Sequence, residues 1–211
     1  MLKNIAREHY TEAIRMAWPA VLESVFVSLA GIIDTFMVSS MGTYAVAATG
    51  LIIQPKFLSL SFFFAINVAV SALVARRLGQ NNRRNANQVL VTALMMVVLL
   101  CVVLTVVTVI FANPLISICG SNADTHEGAV IYFRMIQVGM IFNVLSLVIN
   151  AAQRGAGNTK IAMITNVTSS IVNIIFNYLL IGGNFGFPKW GLFGAAFATV
   201  LGTVFACAMS V

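Results

Sequence analysis

Glu23 and Asp34 are the two carboxylic acids of this chain that stand inside a long apolar run. On a helix turning 100° per residue, their spacing brings them within about 20° of one face and some 16 Å apart along the axis. Both would point into one groove. An ionisable group in an apolar span is costly and marks a proton, ion or substrate path by default. Asp34 is the deeper of the two, with no Lys or Arg expected near it. Glu23 reads equally as a cavity or gating residue and as a carboxyl protonated or hydrogen-bonded near the inner end of its helix.

Amides supply the second pattern. Asn166, Ser170, Asn173 and Asn177 fall within about 60° of arc on one helix. A stripe of amides against lipid would be expensive, so it must face protein or water. If the runs carrying Asp34 and the stripe enter the membrane from the same side, Asp34 lies about 17 residues in and Asn177 about 16. With Thr199 at similar height, a carboxylate facing amide oxygens forms a nest suited to a proton or Na⁺, both hard cations. The same amides also serve transmembrane bundles as interhelical glue. The residues alone leave both uses open.

The elements that must position these groups are membrane spans. Apolar residues make up 60% of the 211 and charged ones 9%, against about a quarter charged in a water-soluble domain. Such a chain cannot cover itself with polar surface, so its solvent is lipid. Six runs reach the length of about 20 residues that a bilayer core requires: 17–40, 47–75, 89–111, 129–152, 161–181 and 191–211. Sequences such as that from Met95 to Phe111 do not alternate in polarity, which excludes lipid-facing β-strands. The fold class is an all-α, polytopic bundle of six transmembrane helices.

Orientation follows the cations. Lys3, Arg7, Arg15, Arg76, Arg77, Arg83, Arg84, Arg154 and Lys160 fall in connections on one side of the alternating pattern, nine of the 12 basic residues. That side is expected to be cytoplasmic, with the amino terminus there, in a cell membrane. The bias, together with anionic lipid headgroups, accounts for the net charge of +6 without nucleic acid. The first sixteen residues mix Glu8 and Glu12 with cations and lack the apolar core of a signal peptide. Cys101, Cys119 and Cys207 match no metal-ligand spacing and read as packing residues. Asn166-Val-Thr168 fits a glycosylation acceptor but falls within a span. The stretch from Arg154 to Lys160 lacks the spacing of a phosphate loop. His9 and His126 stand apart from each other and from any cysteine. Lys56, after Pro55, either snorkels outward or marks a late helix start. No triad, metal site or cofactor site emerges, and the chain does not read as an enzyme.

The stretches WPAVLESVFVSLAGIIDTFMVSSMG (Trp18–Gly42), VARRLGQNN (Val74–Asn82), QRGAGNTKIAMITNVTSSIVNIIFNYLLIGG (Gln153–Gly183) and GLFGAAFATVLG (Gly191–Gly202) resemble, in order and spacing, the first half of a multidrug and toxic compound extrusion (MATE) transporter. The resemblance covers essentially the whole chain. It implies twelve helices in two six-helix lobes around a central cavity, and export of organic cations or lipophilic drugs in exchange for H⁺ or Na⁺. Residues 1–211 would be the amino-terminal lobe. Family members carry a cation site there, which implies roles for Asp34, Asn173, Asn177 and Thr199. A fourth-helix Asn belongs to the site in some members; Asn150 is nearest by pattern, whereas Asn143 fits the depth better. Asn177 stands where some members have Asp, which removes one negative charge. Ser39 replaces a frequent Gly, and the usual Pro after Gly139 is missing.

Two rival functions stay open on the sequence: a lipid-linked precursor flippase of the same superfamily, and a non-transporting scaffold in which the amides are only glue. The flippase would need a cationic cavity, and only Lys56 and Arg134 lie mid-membrane. Gly31 and Pro19 are candidate bending points of the first helix. The chain stops inside its sixth span without a basic anchor, so a carboxy-terminal lobe is expected beyond it. Expected partners are therefore drug-like substrates, membrane lipids and that missing lobe.

Overall fold

The computed structural model describes the backbone of residues 2–211, with side chains described at 10, 14–15 and from 17 onward. The side chains of Lys3, Arg7, Glu8, His9 and Glu12 lie outside the described residues. In chain order the helices are α1 (Leu2–Ser39), α2 (Thr43–Leu51), α3 (Ile53–Gly79), α4 (Arg83–Ile110), α5 (Ala112–Ile118), α6 (Ala123–Gly155), α7 (Thr159–Gly182) and α8 (Gly191–Ser210). Six segments are long and apolar enough to cross a membrane: Ala17–Ser39, Thr43–Gly79, Arg83–Ile110, Ala123–Gly155, Thr159–Gly182 and Gly191–Ser210. The all-α, six-span architecture expected from composition is the one found, and each expected span overlaps one of these segments, with residues 40, 111 and 211 falling just past the helical ends. Helices α1, α4, α6 and α7 outrun the expected bounds at one or both ends, because hydropathy registers the bilayer core while the hydrogen-bond ladder continues beyond it.

Local chemistry explains the interruptions. Pro55 has no N–H to donate to Leu51, and its ring crowds that carbonyl, so the second traverse breaks at Ile52 into α2 and α3. The ladder resumes at Lys56, whose N–H donates to the Ile52 carbonyl at 3.0 Å. Asn82 caps α4 by accepting from the Asn85 N–H at 3.1 Å. Asn122 and Thr125 form a reciprocal capping box on α6. Gly183 ends α7 at φ 71°, in the left-handed region that glycine enters without a Cβ penalty. The residues between Asn113 and Gly128, expected to be a plain connection, include α5. Its Ile116 is fully buried against the outer half of α6, where outer denotes the end of the bundle away from the amino terminus of α1 and inner the opposite end.

Helix α6 is the pivot. More than half of its membrane window is buried inside the bundle, against a third or less for every other span. Its outer half packs Val130 and Phe133 against Val38, Ala48, Ile116 and Ala195. Its inner half packs Met140, Val144 and Val148 against Phe63, Val70, Val97 and Cys101. Lipid tails are as apolar as these side chains, so close backbone approach at small residues takes over the cohesive role. Gly155 meets the backbone of Ser71 on α3, Gly194 that of Leu180, and Gly202 that of Ser169.

Helix α1 is held differently. It packs on α7 and on α2, and only 11% of its membrane window is buried. Two contacts between α1 and α7, Glu23 with Asn166 and Asp34 with Asn177, share the separation of 143 residues. The two helices therefore run parallel in constant register over three turns, about 16 Å. This register carries the functional site.

Candidate functional site

The seam between α1 and α7 holds two polar stations. At the outer one, the Asn177 Nδ2 donates to the Asp34 carboxylate, and also to the Asn173 Oδ1 at 3.3 Å. The Asn173 Nδ2 donates in turn to the Thr199 hydroxyl at 3.2 Å, and that hydroxyl donates to the Ala195 carbonyl at 3.0 Å. Asp34, Asn177, Asn173 and Thr199 thus form one chain of hydrogen bonds across α1, α7 and α8. The equal depth expected for Asp34 and Asn177 is realised as direct contact.

Two details differ from expectation. The carboxylate faces amide nitrogen and not amide oxygen, because an ionised carboxylate only accepts. The Asn177 Oδ1 is left fully buried without a donor. Against the expectation of no cation at this depth, Lys56 of α3 lines a cleft with Thr199, the last member of that chain of hydrogen bonds. Lys56 stands in the first turn of α3, which agrees with the late helix start, one of its two readings, and its side chain lines a cleft inside the bundle.

The inner station is built on Glu23. Its Oε1 accepts from Arg154 of α6 at 2.6 Å and from the Asn166 Nδ2 at 2.6 Å. Asn166 accepts from the Asn150 Nδ2 at 3.4 Å, and the Ser170 hydroxyl donates to the Asn166 carbonyl at 3.0 Å within its own helix. Asn150 therefore does not join Asp34, which corrects its placement at the cation site. Asn150 lies five residues before the Gly155 end of α6, about one and a half turns, level with Glu23 and Asn166 and not with Asp34. Glu23 is a paired carboxylate. Replacing Arg154 with Ala should leave Glu23 with the single Asn166 donor, a loss of about 1.5–3 kcal/mol for a charged hydrogen bond. A melting point lowered by several degrees in detergent, with Glu23→Gln affected less, is the expected result; an unchanged melting point for Arg154→Ala would remove the ion pair from the account.

Asn143, the alternative fourth-span candidate, makes no bond to Asp34. It lines a narrow cleft with Lys56, Gln137, Thr199 and Thr203, about 20 Å³ in volume, room for a water molecule. Tyr132 and Gln137 are site neighbours that sequence reasoning missed. Tyr132 is 7% exposed, and its side chain adjoins the Thr199 hydroxyl. Gln137 is fully buried and donates to the Ser59 hydroxyl at 3.2 Å and the Thr108 hydroxyl at 2.7 Å. A helical spacing was available as a signal: Tyr132, Ile136, Gly139 and Asn143 repeat at four, three and four on one face. No cluster of three His, Cys, Asp or Glu occurs among the described residues.

Chemically, the outer station is a partly buried carboxylate with one amide donor and one idle amide acceptor. It can take up a proton or exchange one cation for another, and it lacks any nucleophile aimed at a substrate. Comparison with known proteins agrees with a membrane role. The MatE family model matches residues 19–179. The chain is 32% identical over 187 residues to the probable multidrug resistance protein YoeA of Bacillus subtilis (strain 168), covering 88% of this chain and 40% of that protein. It is 28% identical over 197 residues to an FAD transporter of Shewanella oneidensis, covering 93% and 44%. A solved outward-facing structure of a multidrug resistance MATE family transporter of the MOP superfamily superposes with a TM-score of 0.86 at 28% identity, over 94% of this chain and 43% of that one. The chain spans less than half the length of the relatives it matches.

Proposed function

The chain belongs to the MatE family, and from that premise we propose that it is the amino-terminal lobe of a two-lobe transporter that exports organic cations or lipophilic drugs in exchange for H⁺ or Na⁺. The amino terminus lies in the cytoplasm on this reading, and the second lobe closes the cavity against the sparsely packed face of α1. One observation carries the proposal: the Asp34 carboxylate, inside the membrane, is tied through Asn177 and Asn173 to Thr199. A charge that must be neutralised in place, on the least buried span, links ion occupancy to helix position.

Cation entry changes what Asp34 asks of α7. An ionised Asp34 holds the Asn177 donor; a neutralised one holds it more weakly, and α1 is freed to shift along or away from α7. Pro19 lies inside α1 below both stations and supplies a bending point. Substrate affinity then differs between the two positions of α1, which is the condition for an ion gradient to drive export. A scaffold role, with the amides as glue alone, leaves the membrane carboxylate and the idle Asn177 acceptor without purpose.

Gradient substitution tests this reading. The full-length protein in proteoliposomes, preloaded with a fluorescent organic cation, should accelerate dye movement when an inwardly directed H⁺ or Na⁺ gradient is imposed, and collapse of that gradient should return the rate to baseline. Dye movement indifferent to both gradients would reject antiport.

A further inference from the structure

Gln137 of α6 is fully buried, and only half of its amide is engaged. The Nε2 donates both protons, to the Ser59 hydroxyl at 3.2 Å and the Thr108 hydroxyl at 2.7 Å. Each of those hydroxyls has already given its single proton to a carbonyl, Ser59 to Pro55 at 3.0 Å and Thr108 to Leu104 at 2.7 Å. Towards Gln137 they can only accept, so the amide cannot be turned the other way round. Its Oε1 is left without a donor, on a residue that lines the narrow cleft of about 20 Å³. A buried acceptor without a donor is expensive.

Lys56 of α3 lines the same cleft. Among the described residues no carboxylate lies within 4.0 Å of its ammonium, and an unpartnered ammonium inside a membrane is costly as well. The Lys56 Nζ and the Gln137 Oε1 stand more than 3.5 Å apart, since that oxygen has no partner at hydrogen-bond distance. A donor and an acceptor on one small cleft, beyond direct reach, call for a bridging group. The other oxygens on the cleft define its chemistry. The Thr199 hydroxyl gives its proton to the Ala195 carbonyl at 3.0 Å, and the Thr203 hydroxyl to the Val200 carbonyl at 2.7 Å. Both can only accept from a guest, while the Asn143 amide can serve either way. The guest must therefore accept from an ammonium and donate to oxygens. Na⁺ suits the oxygens and is repelled by the ammonium; an anion suits the ammonium and is repelled by the oxygens. A neutral O–H group satisfies both, and water is the smallest that fits the volume.

We propose that this cleft is a binding site for a structural water, which accepts from the Lys56 ammonium and donates to the Gln137 Oε1 and the Thr199 hydroxyl. The water supplies the donor that the Gln137 oxygen lacks, and it gives the ammonium a partner without a counter-charge. It ties α3, α6 and α8 together at the end of the hydrogen-bond chain that runs from Asp34 through Asn177 and Asn173 to Thr199. The site stands on the cleft itself and does not depend on Asp34 being the coupling residue.

An experimental structure of the full-length protein, at a resolution that shows ordered water, tests this directly. It should carry a peak about 2.7–3.2 Å from both the Lys56 Nζ and the Gln137 Oε1. A Lys56 ammonium bonded straight to the Gln137 Oε1, an ion in the cleft, or no ordered density there would overturn the proposal. A double-mutant cycle followed by melting temperature reads the bridge in solution. Gln137→Met should lower the melting temperature more in the wild-type background than in the Lys56→Met background, because only the former has a bridge to lose. Gln137→Glu keeps the shape of the side chain and covers the case that Gln137→Met does not fold. Its carboxylate should be tolerated beside the wild-type Lys56 and should destabilise the Lys56→Met protein. Shifts equal in the two backgrounds would mean that Lys56 and Gln137 share no bridge.

Discussion

Asp34→Asn in the full-length protein should cut gradient-driven drug efflux by about 5- to 150-fold, the range of a typical coupling free energy, while leaving the fold in place. The substitution keeps the shape of the side chain and an oxygen acceptor for the Asn177 donor, whose hydrogen bond now holds the carboxylate. What it removes is the ability to change charge. Without that change the two positions of α1 no longer differ in cation affinity, and a gradient has nothing to act on. Drug accumulation in cells and melting temperature of the purified protein should be measured together. Lost efflux with a melting point near wild type is the expected pair. Preserved efflux would end the role of Asp34, and joint loss of efflux and stability would recast it as packing. Asn177→Ala offers a graded companion, since it removes the donor and the link to Asn173 but spares the carboxylate.

Gly155→Ala should be the most damaging single methyl group in the bundle. A Cβ at that position would stand 2.4 Å from the Ser71 carbonyl oxygen and 3.1 Å from the Ser71 Cα. Both are backbone atoms, so relief requires α3 to slide along α6 and not a rotamer change. Overpacking of this kind costs about 1–3 kcal/mol and sometimes more, which for a chain of this size is roughly 2–4 °C of melting temperature for each kcal/mol. Gly155 also follows Arg154, whose bond to Glu23 anchors the inner station, so displacement there loosens α1 as well. Gly50→Ala is the matched control. No atom lies within 4 Å of its added Cβ, and replacing a helical glycine by alanine gains about 0.8–1 kcal/mol of propensity. Thermal unfolding in detergent and elution as a single species read both out. A Gly155→Ala protein as stable as wild type would mean that the α3–α6 approach is looser than these distances.

Much of the site was legible before any coordinates because helix geometry is periodic. The position of Asp34 on the Glu23 face, the amide stripe of α7 and the equal depth of Asp34 and Asn177 all follow from 100° and 1.5 Å per residue. Cation bias and turn lengths order the spans in the same elementary way. What escaped were relations between helices that are not set by depth. Lys56 lines the cleft beside Thr199 through the packing of α3 on α6, which its own segment does not encode. Asn150 matched a family pattern, yet its bonds to Ser146 and Asn166 keep it at the inner station. Tyr132 and Gln137 look in sequence like ordinary members of an apolar helix, and their roles come from facing Thr199, Ser59 and Thr108 across gaps between helices.

Residue types alone therefore determined that this chain lives in lipid, crosses it six times and carries one deep carboxylate level with a row of amides. Those properties are set by transfer free energy and helical periodicity, both local to each segment. Which nitrogen meets that carboxylate and which amides belong to the inner station were decided only by the packing of α1, α6 and α7. Rotation and offset between helices come from contacts at small residues such as Gly155, Gly194 and Gly202, and no single segment contains the information that sets them.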